Sequence, residues 1–134
     1  MAGGYATFAT AGKHTEPHSV RRITHNGAPV PLTTPTARRP IGAEVAEQVS
    51  QALTDSLNAA HTAVSTATAT GTSGTTADDT AARYAGTAQS VPTAVVVHRM
   101  DPATSLEPLP LKGIAGTPAD SVPYAVWSGA MDLG

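Results

Sequence analysis

Cysteine is absent, which excludes disulfide stapling and thiolate metal centres and leaves the redox compartment open. No apolar run approaches the roughly 18 residues that a membrane-spanning helix needs. Residues 1–14, MAGGYATFATAGKH, lack the basic and apolar regions of a secretory signal. A soluble chain not exported by the ordinary route is therefore expected. Aromatic residues are scarce: one Trp, one Phe and three Tyr. Leu, Ile, Val and Phe number 22 of 134 residues, about 16%, below the one-fifth level that marks weak core-builders. Another 25 residues are Ala and 12 are Gly, which remove little apolar surface from water. Charge is scarce too, at 13% with a net value of −2, so self-repulsion does not hold the chain open as it does in disordered segments. These absences together describe a thin core that gains stability from copies of itself or from a larger assembly.

What charge there is lies unevenly. Residues 1–40 hold Lys13, Arg21, Arg22, Arg38 and Arg39 against Glu16, a balance of +4. The other 94 residues hold Arg83, Arg99 and Lys112 against nine acids, a balance of −6. Five prolines (17, 29, 31, 35 and 40) interrupt the same basic stretch, so it is expected to be an extended arm without long helices. Within it, residues 19–25 followed by Asn26-Gly27 predict a strand entering a hairpin turn, because Asn-Gly accepts the positive φ angles of a type I′ turn. Pro29 and Pro31 place the returning strand at an edge.

Residues 41–65 carry the only long periodic pattern. At about 100° per residue, Ile41, Val45, Val49, Leu53, Leu57, Ala60, Ala63 and Val64 gather on one side, with acids and amides opposite. The spacing of four drifts around the helix and is no strict heptad, so a long two-stranded coiled coil is not expected. Residues 66–76 are Gly/Thr-rich and read as a loop. Thr76 followed by Asp78 and Asp79 reads as the capped start of a short helix ending near Gly86. Residues 93–100 form the best strand candidate, uniform enough for burial on both faces. Residues 105–112, with Pro108 and Pro110, read as an edge segment, and 122–127 as a last strand carrying Trp127. The expected architecture is α+β: a basic extended N-terminal arm (1–40), one long amphipathic helix (41–65), a loop (66–76), and a short helix with a small β-rich part (77–134).

Side chains with chemical capability are few. His14, Glu16 and His18 cluster in sequence with His25 nearby, but Pro17 breaks the helix that would align an i, i+4 pair. Solvated arm residues are the simpler reading. Asp78 and Asp79 read as partners of a helix dipole, and 71–74 lacks nucleophile-elbow spacing. There is no phosphate-cradling glycine loop. No catalytic residue, metal or cofactor is assigned, and a non-enzymatic protein is expected. Arg21, Arg22, Arg38 and Arg39 lack the interleaved aromatics of single-strand binders. On a chain of negative net charge they point to acidic protein surfaces ahead of nucleic acid. The candidate interaction residues are thus Arg21, Arg22, Arg38 and Arg39, the stripe Val45, Val49, Leu53, Leu57 and Val64, and Trp127. The expected partners are other protein subunits, including copies of this chain, with no membrane. The expected role is a structural or accessory component of a large assembly, such as a bacteriophage capsid decoration, neck or tail protein. The expected location is then the virion, or otherwise the cytoplasm. The alternative is a free-standing regulatory or ligand-binding module.

Overall fold

A computed structural model describes residues 1–60, 69–104, 107–112 and 118–132. In chain order the elements are α1 (Ala2–Ala9), β1 (Ile23–His25), β2 (Ala28–Val30), α2 (Ala43–Ala60), β3 (Thr70–Thr75), β4 (Ala81–Ala88), β5 (Val91–Met100), β6 (Pro108–Leu109) and α3 (Val122–Asp132). Strands β3 to β6 form one antiparallel sheet in sequence order, and β1 pairs β2 in a separate hairpin. The class is α+β.

The Asn26-Gly27 hairpin forms as its turn chemistry dictates. Both residues have positive φ (50° and 80°), and His25 faces Ala28 across the two-residue loop. The rest of the first 40 residues departs from an extended arm. Residues 2–9, AGGYATFA, form the helix α1, which packs against α2, β4 and β5. Its weak amphipathicity and paired glycines hide it from a periodicity search. The chain then loops out and returns. His14 N–H donates to the Arg38 carbonyl at 2.7 Å and Arg38 N–H donates back at 2.9 Å, tying the two ends of the excursion together.

The Gly/Thr loop is also corrected in part. Residues 61–68, which include Ala63 and Val64, lie outside the described residues, but 70–75 form the edge strand β3. Its neighbour β4 replaces the expected short helix. Thr76, Asp78 and Asp79 cap a turn, not a helix. The Thr76 hydroxyl accepts the Ala81 N–H at 2.9 Å, Asp78 accepts the Thr80 hydroxyl at 2.9 Å, and Asp79 adopts φ 57°. Short oxygen side chains satisfy backbone donors equally well at a helix start and in a turn. The local sequence therefore cannot tell the two apart.

These turn bonds have a measurable consequence. The Thr80 hydroxyl, then the Thr76 side chain and the Thr80 amide, hold the Asp78 carboxyl below its ordinary range. A depressed folded-state pKa contributes stability that is present above the unfolded value and lost as pH falls through the folded one. Because Asp78 is solvent-exposed, the contribution is screened and small. Carbon NMR titration is expected to place the Asp78 midpoint below that of an ordinary aspartate, and Thr80→Val is expected to raise it. A midpoint unmoved by Thr80→Val would refute the turn geometry.

Strand β4 is the centre of the molecule. Residues 84–88 are all buried, so both faces of the strand are covered. Alternation puts Tyr84, Gly86 and Ala88 on one face and Ala85 and Thr87 on the other. A strand packed on both sides needs small residues, and this explains an alanine-rich sequence where intrinsic preference favours helix. On the first face lies the core, built from Leu57 of α2, Ala69, Tyr84, Ala88 and Trp127 of α3, flanked by Val95, Tyr124 and Met131. The rings of Tyr84 and Trp127 lie 4.9 Å apart between centroids, and those of Tyr84 and Tyr124 meet edge-on at 5.3 Å. Gly71 and Gly86 face each other across β3 and β4. Tyr84 lies diagonally over Gly71, its hydroxyl against the glycine.

Two further expectations change. Residues 122–127 are helical as the start of α3, with Pro123 in the first turn, where its missing N–H costs nothing. Tyr124, Trp127 and Met131 follow 3- and 4-residue spacing onto the core; β-branched and aromatic content obscured that period. Strand β5 forms as expected and β6 pairs its end as a two-residue edge. However, β5 is not buried on both faces: Val91 and Val96 are each 53% exposed.

Candidate functional site

The helix α2 does not bury the face that its valines mark. Ala46 and Leu57 are buried, Val49, Ser50, Leu53 and Thr54 are half-buried, and Val45 is 50% exposed. Taking Val45 as zero, the buried face centres near 110°, whereas the apolar stripe centres near 40°, at about 100° per residue. The rotation follows from what α2 packs on. Its main neighbour is β3, a Gly/Thr strand that admits close approach, so small residues turn inward.

The predicted interaction residues are accordingly dispersed. Leu57 and Trp127 are enclosed in the chain's own core, at 2% and 0% exposure, and offer no surface to another chain. Val49 and Leu53 are half-buried, Val45 is exposed, and Val64 lies outside the described residues. Arg21, Arg22, Arg38 and Arg39 are all exposed, but Arg38 is engaged, donating to Glu16 at 2.8 Å. An exposed pair of this kind contributes roughly 0–1 kcal/mol.

His14 is not the solvated arm residue expected. Its Nδ1 lies 3.0 Å from the hydroxyl of Thr7, and its Nε2 lies 3.5 Å from Glu16. A Thr, His and carboxylate in line resembles the parts of a nucleophile relay. Here the Thr7 side chain is buried and its hydroxyl donates to the Gly3 carbonyl at 3.2 Å. The array therefore clamps the end of α1 to the start of the excursion. His18 and His25 are exposed, and no group of three His, Asp or Glu among the described residues could hold a metal ion. No described helix is long and apolar enough to cross a membrane.

Two features remain with capacity to bind. The first is the excursion from residue 15 to 37. All six residues of β1 and β2 are exposed, and Val20, Ile23, Val30 and Leu32 are 51%, 44%, 39% and 39% exposed beside Arg21 and Arg22. The second is a cleft of about 290 Å³ lined by Phe8, Ala9, Ser50, Thr54, Thr70, Thr87 and Ser90. Its lining is drawn from α1, α2, β3, β4 and the β4–β5 turn, and the sequence pattern marks none of it. The Ser50 and Thr54 hydroxyls lie on the polar side of the helical pattern, where exposure is the ordinary expectation. Another cleft of about 300 Å³ is lined by Thr75, Leu111, Ala119 and the exposed carboxylates of Asp79 and Asp120.

No protein-family model matches this sequence, and no curated protein matches it.

Proposed function

We propose that this chain is a non-enzymatic structural or accessory protein of a large assembly, of the kind that decorates a bacteriophage capsid, neck or tail, and that it resides in the virion. The observation that carries the reading is the β1–β2 projection. A lone two-stranded hairpin is at best marginally stable in water, and this one packs its strands on each other and on little else. It nevertheless displays four large apolar side chains and two exposed arginines, Arg21 and Arg22, at its base. Such a projection gains stability when a neighbouring subunit covers it, by strand addition along its edges and by Arg–carboxylate pairing. The thin core and the opposed charges of residues 1–40 and the remainder fit head-to-body docking between copies.

Light scattering coupled to size exclusion is the test. The mass is expected to rise above that of one chain with concentration, and the double substitution Ile23→Ser, Val30→Ser is expected to return it to a monomer with an unchanged far-UV spectrum and a melting temperature that no longer rises with concentration. A compact monomer that melts sharply at every concentration would overturn the reading.

A further inference from the structure

The cleft at the end of α1 is lined by five hydroxyl side chains (Ser50, Thr54, Thr70, Thr87 and Ser90) with Phe8 and Ala9, and by no charged group among the described residues. We infer that it is a binding site for a neutral, pyranose-sized polyol, with the sugar ring laid on Phe8 and its hydroxyls bonded to the threonines and serines.

Three observations carry this. Thr87 is 4% exposed, and its hydroxyl has no hydrogen-bond partner among the described residues. A buried hydroxyl without a partner opposes folding, yet this one sits in the wall of a cleft where a ligand can satisfy it. Next, the hydroxyls of Ser50 and Thr54 donate to the Ala46 and Ser50 carbonyls at 2.9 and 3.0 Å. Their protons are committed, so toward the cleft they offer lone pairs that accept. Thr87 can both donate and accept. The site thus asks first for a ligand rich in donors, with Thr87 able to answer a donor or an acceptor, and a polyol supplies this through its hydroxyls; a ligand that only accepts, such as an anion, does not. Lastly, the β4–β5 turn is made by Gln89 and Ser90 at φ 49° and 66°. Both lie in the left-handed region that a type I′ turn requires but that Asn-Gly occupies at lower cost. The two-residue loop between Ala88 and Val91 imposes these angles, and the turn it makes sets Ser90 in the lining of the cleft.

Size and shape fit the same class. A volume of about 290 Å³ lies at the small end of the range for ligand pockets, roughly 300–1,000 Å³, which suits a single small ring. Phe8 is held edge-to-face by Tyr5 at 6.3 Å between centroids, so its ring is already oriented as a platform for the apolar C–H face of a sugar.

The test is an amide NMR titration of the full chain with methyl α-D-glucopyranoside, methyl α-D-galactopyranoside and myo-inositol, with glycerol as the small-polyol control. At least one ring probe is expected to give saturable shifts confined to Phe8, Thr54, Thr70, Thr87 and Ser90, with a Kd of roughly 1–10 mM. Thr87→Val is expected to weaken that binding about tenfold while the melting temperature holds or rises, because an unpartnered buried hydroxyl is exchanged for a methyl. Phe8→Leu is expected to weaken it several-fold by removing the platform. Absent or non-saturating shifts with all three rings would overturn the inference. So would equal shifts with glycerol, or binding indifferent to both substitutions. A lowered melting temperature for Thr87→Val would show that the hydroxyl is already partnered, and would overturn it as well. None of these outcomes depends on whether the chain also joins an assembly.

Discussion

Trp127→Ala is expected to remove about 3–5 kcal/mol of stability, the loss typical of truncating a fully buried large aromatic. The side chain is 0% exposed and forms one corner of a triangle with Tyr84 and Tyr124. Its loss would open a cavity between α3 and β4 that neither tyrosine can fill without breaking its own ring contact. Small domains start from about 5–15 kcal/mol, and a core with so few large side chains belongs near the lower end. The variant is therefore expected to be largely unfolded at temperatures where the wild-type chain is still folded. Trp127→Phe separates packing from polarity. The indole Nε1 is buried with no partner among the described residues, so phenylalanine loses area but relieves an unsatisfied donor. The two effects nearly cancel, and a change within about 1 kcal/mol is expected in urea titration. A Trp127→Ala variant as stable as wild type would refute a core built on Trp127.

Gly86→Ala is expected to be the other severe change, at about 2–4 kcal/mol. The expected sign runs against intrinsic preference, because alanine ordinarily improves on glycine inside a regular element by roughly 0.5–1 kcal/mol. Here a Cβ would stand 2.5 Å from the Thr70 carbonyl oxygen and 3.1 Å from both Trp127 and Tyr84. The carbonyl belongs to the paired strand and cannot retreat without breaking the β3–β4 ladder. Gly129→Ala in α3 is the matched control. A Cβ there meets nothing within 4 Å, so the same chemical change is expected to stabilise by about 0.5–1 kcal/mol through helix propensity alone. Urea midpoints moving in opposite directions for the two variants would confirm that packing decides the first. Equal midpoints would deny the close approach of β3 and β4.

Strong local signals were legible without the structure. Asn26-Gly27 dictates its hairpin because few other dipeptides accept two positive φ angles cheaply, and the four-residue spacing from Val45 to Leu57 dictates a helix because no strand would gather those side chains on one side. The valine-rich stretch around Val95 is a strand for steric reasons that also operate locally. The misread elements share a different character. Ala81–Ala88 is helix-like by composition and strand in fact. It fits because only small residues allow helices to close over both of its faces, and that requirement comes from Trp127 and the helices, far away in sequence. Val122–Asp132 is strand-like by composition and helix in fact, since burying Tyr124, Trp127 and Met131 together needs a period of 3.6.

The candidate binding cleft was illegible for the same reason. Thr54 is one polar residue on a helix and Thr87 one threonine in an alanine strand; only the tertiary fold places them around a common space with Phe8. By itself the sequence determined composition-level facts: no disulfides, a thin core, charge divided between the first 40 residues and the rest, one hairpin turn and one long amphipathic helix. The tertiary structure decided which face of that helix turns inward. It follows the small residues Ala46, Ser50 and Thr54 instead of Val45, because a glycine-containing strand lets a helix approach closely only where its own side chains are small.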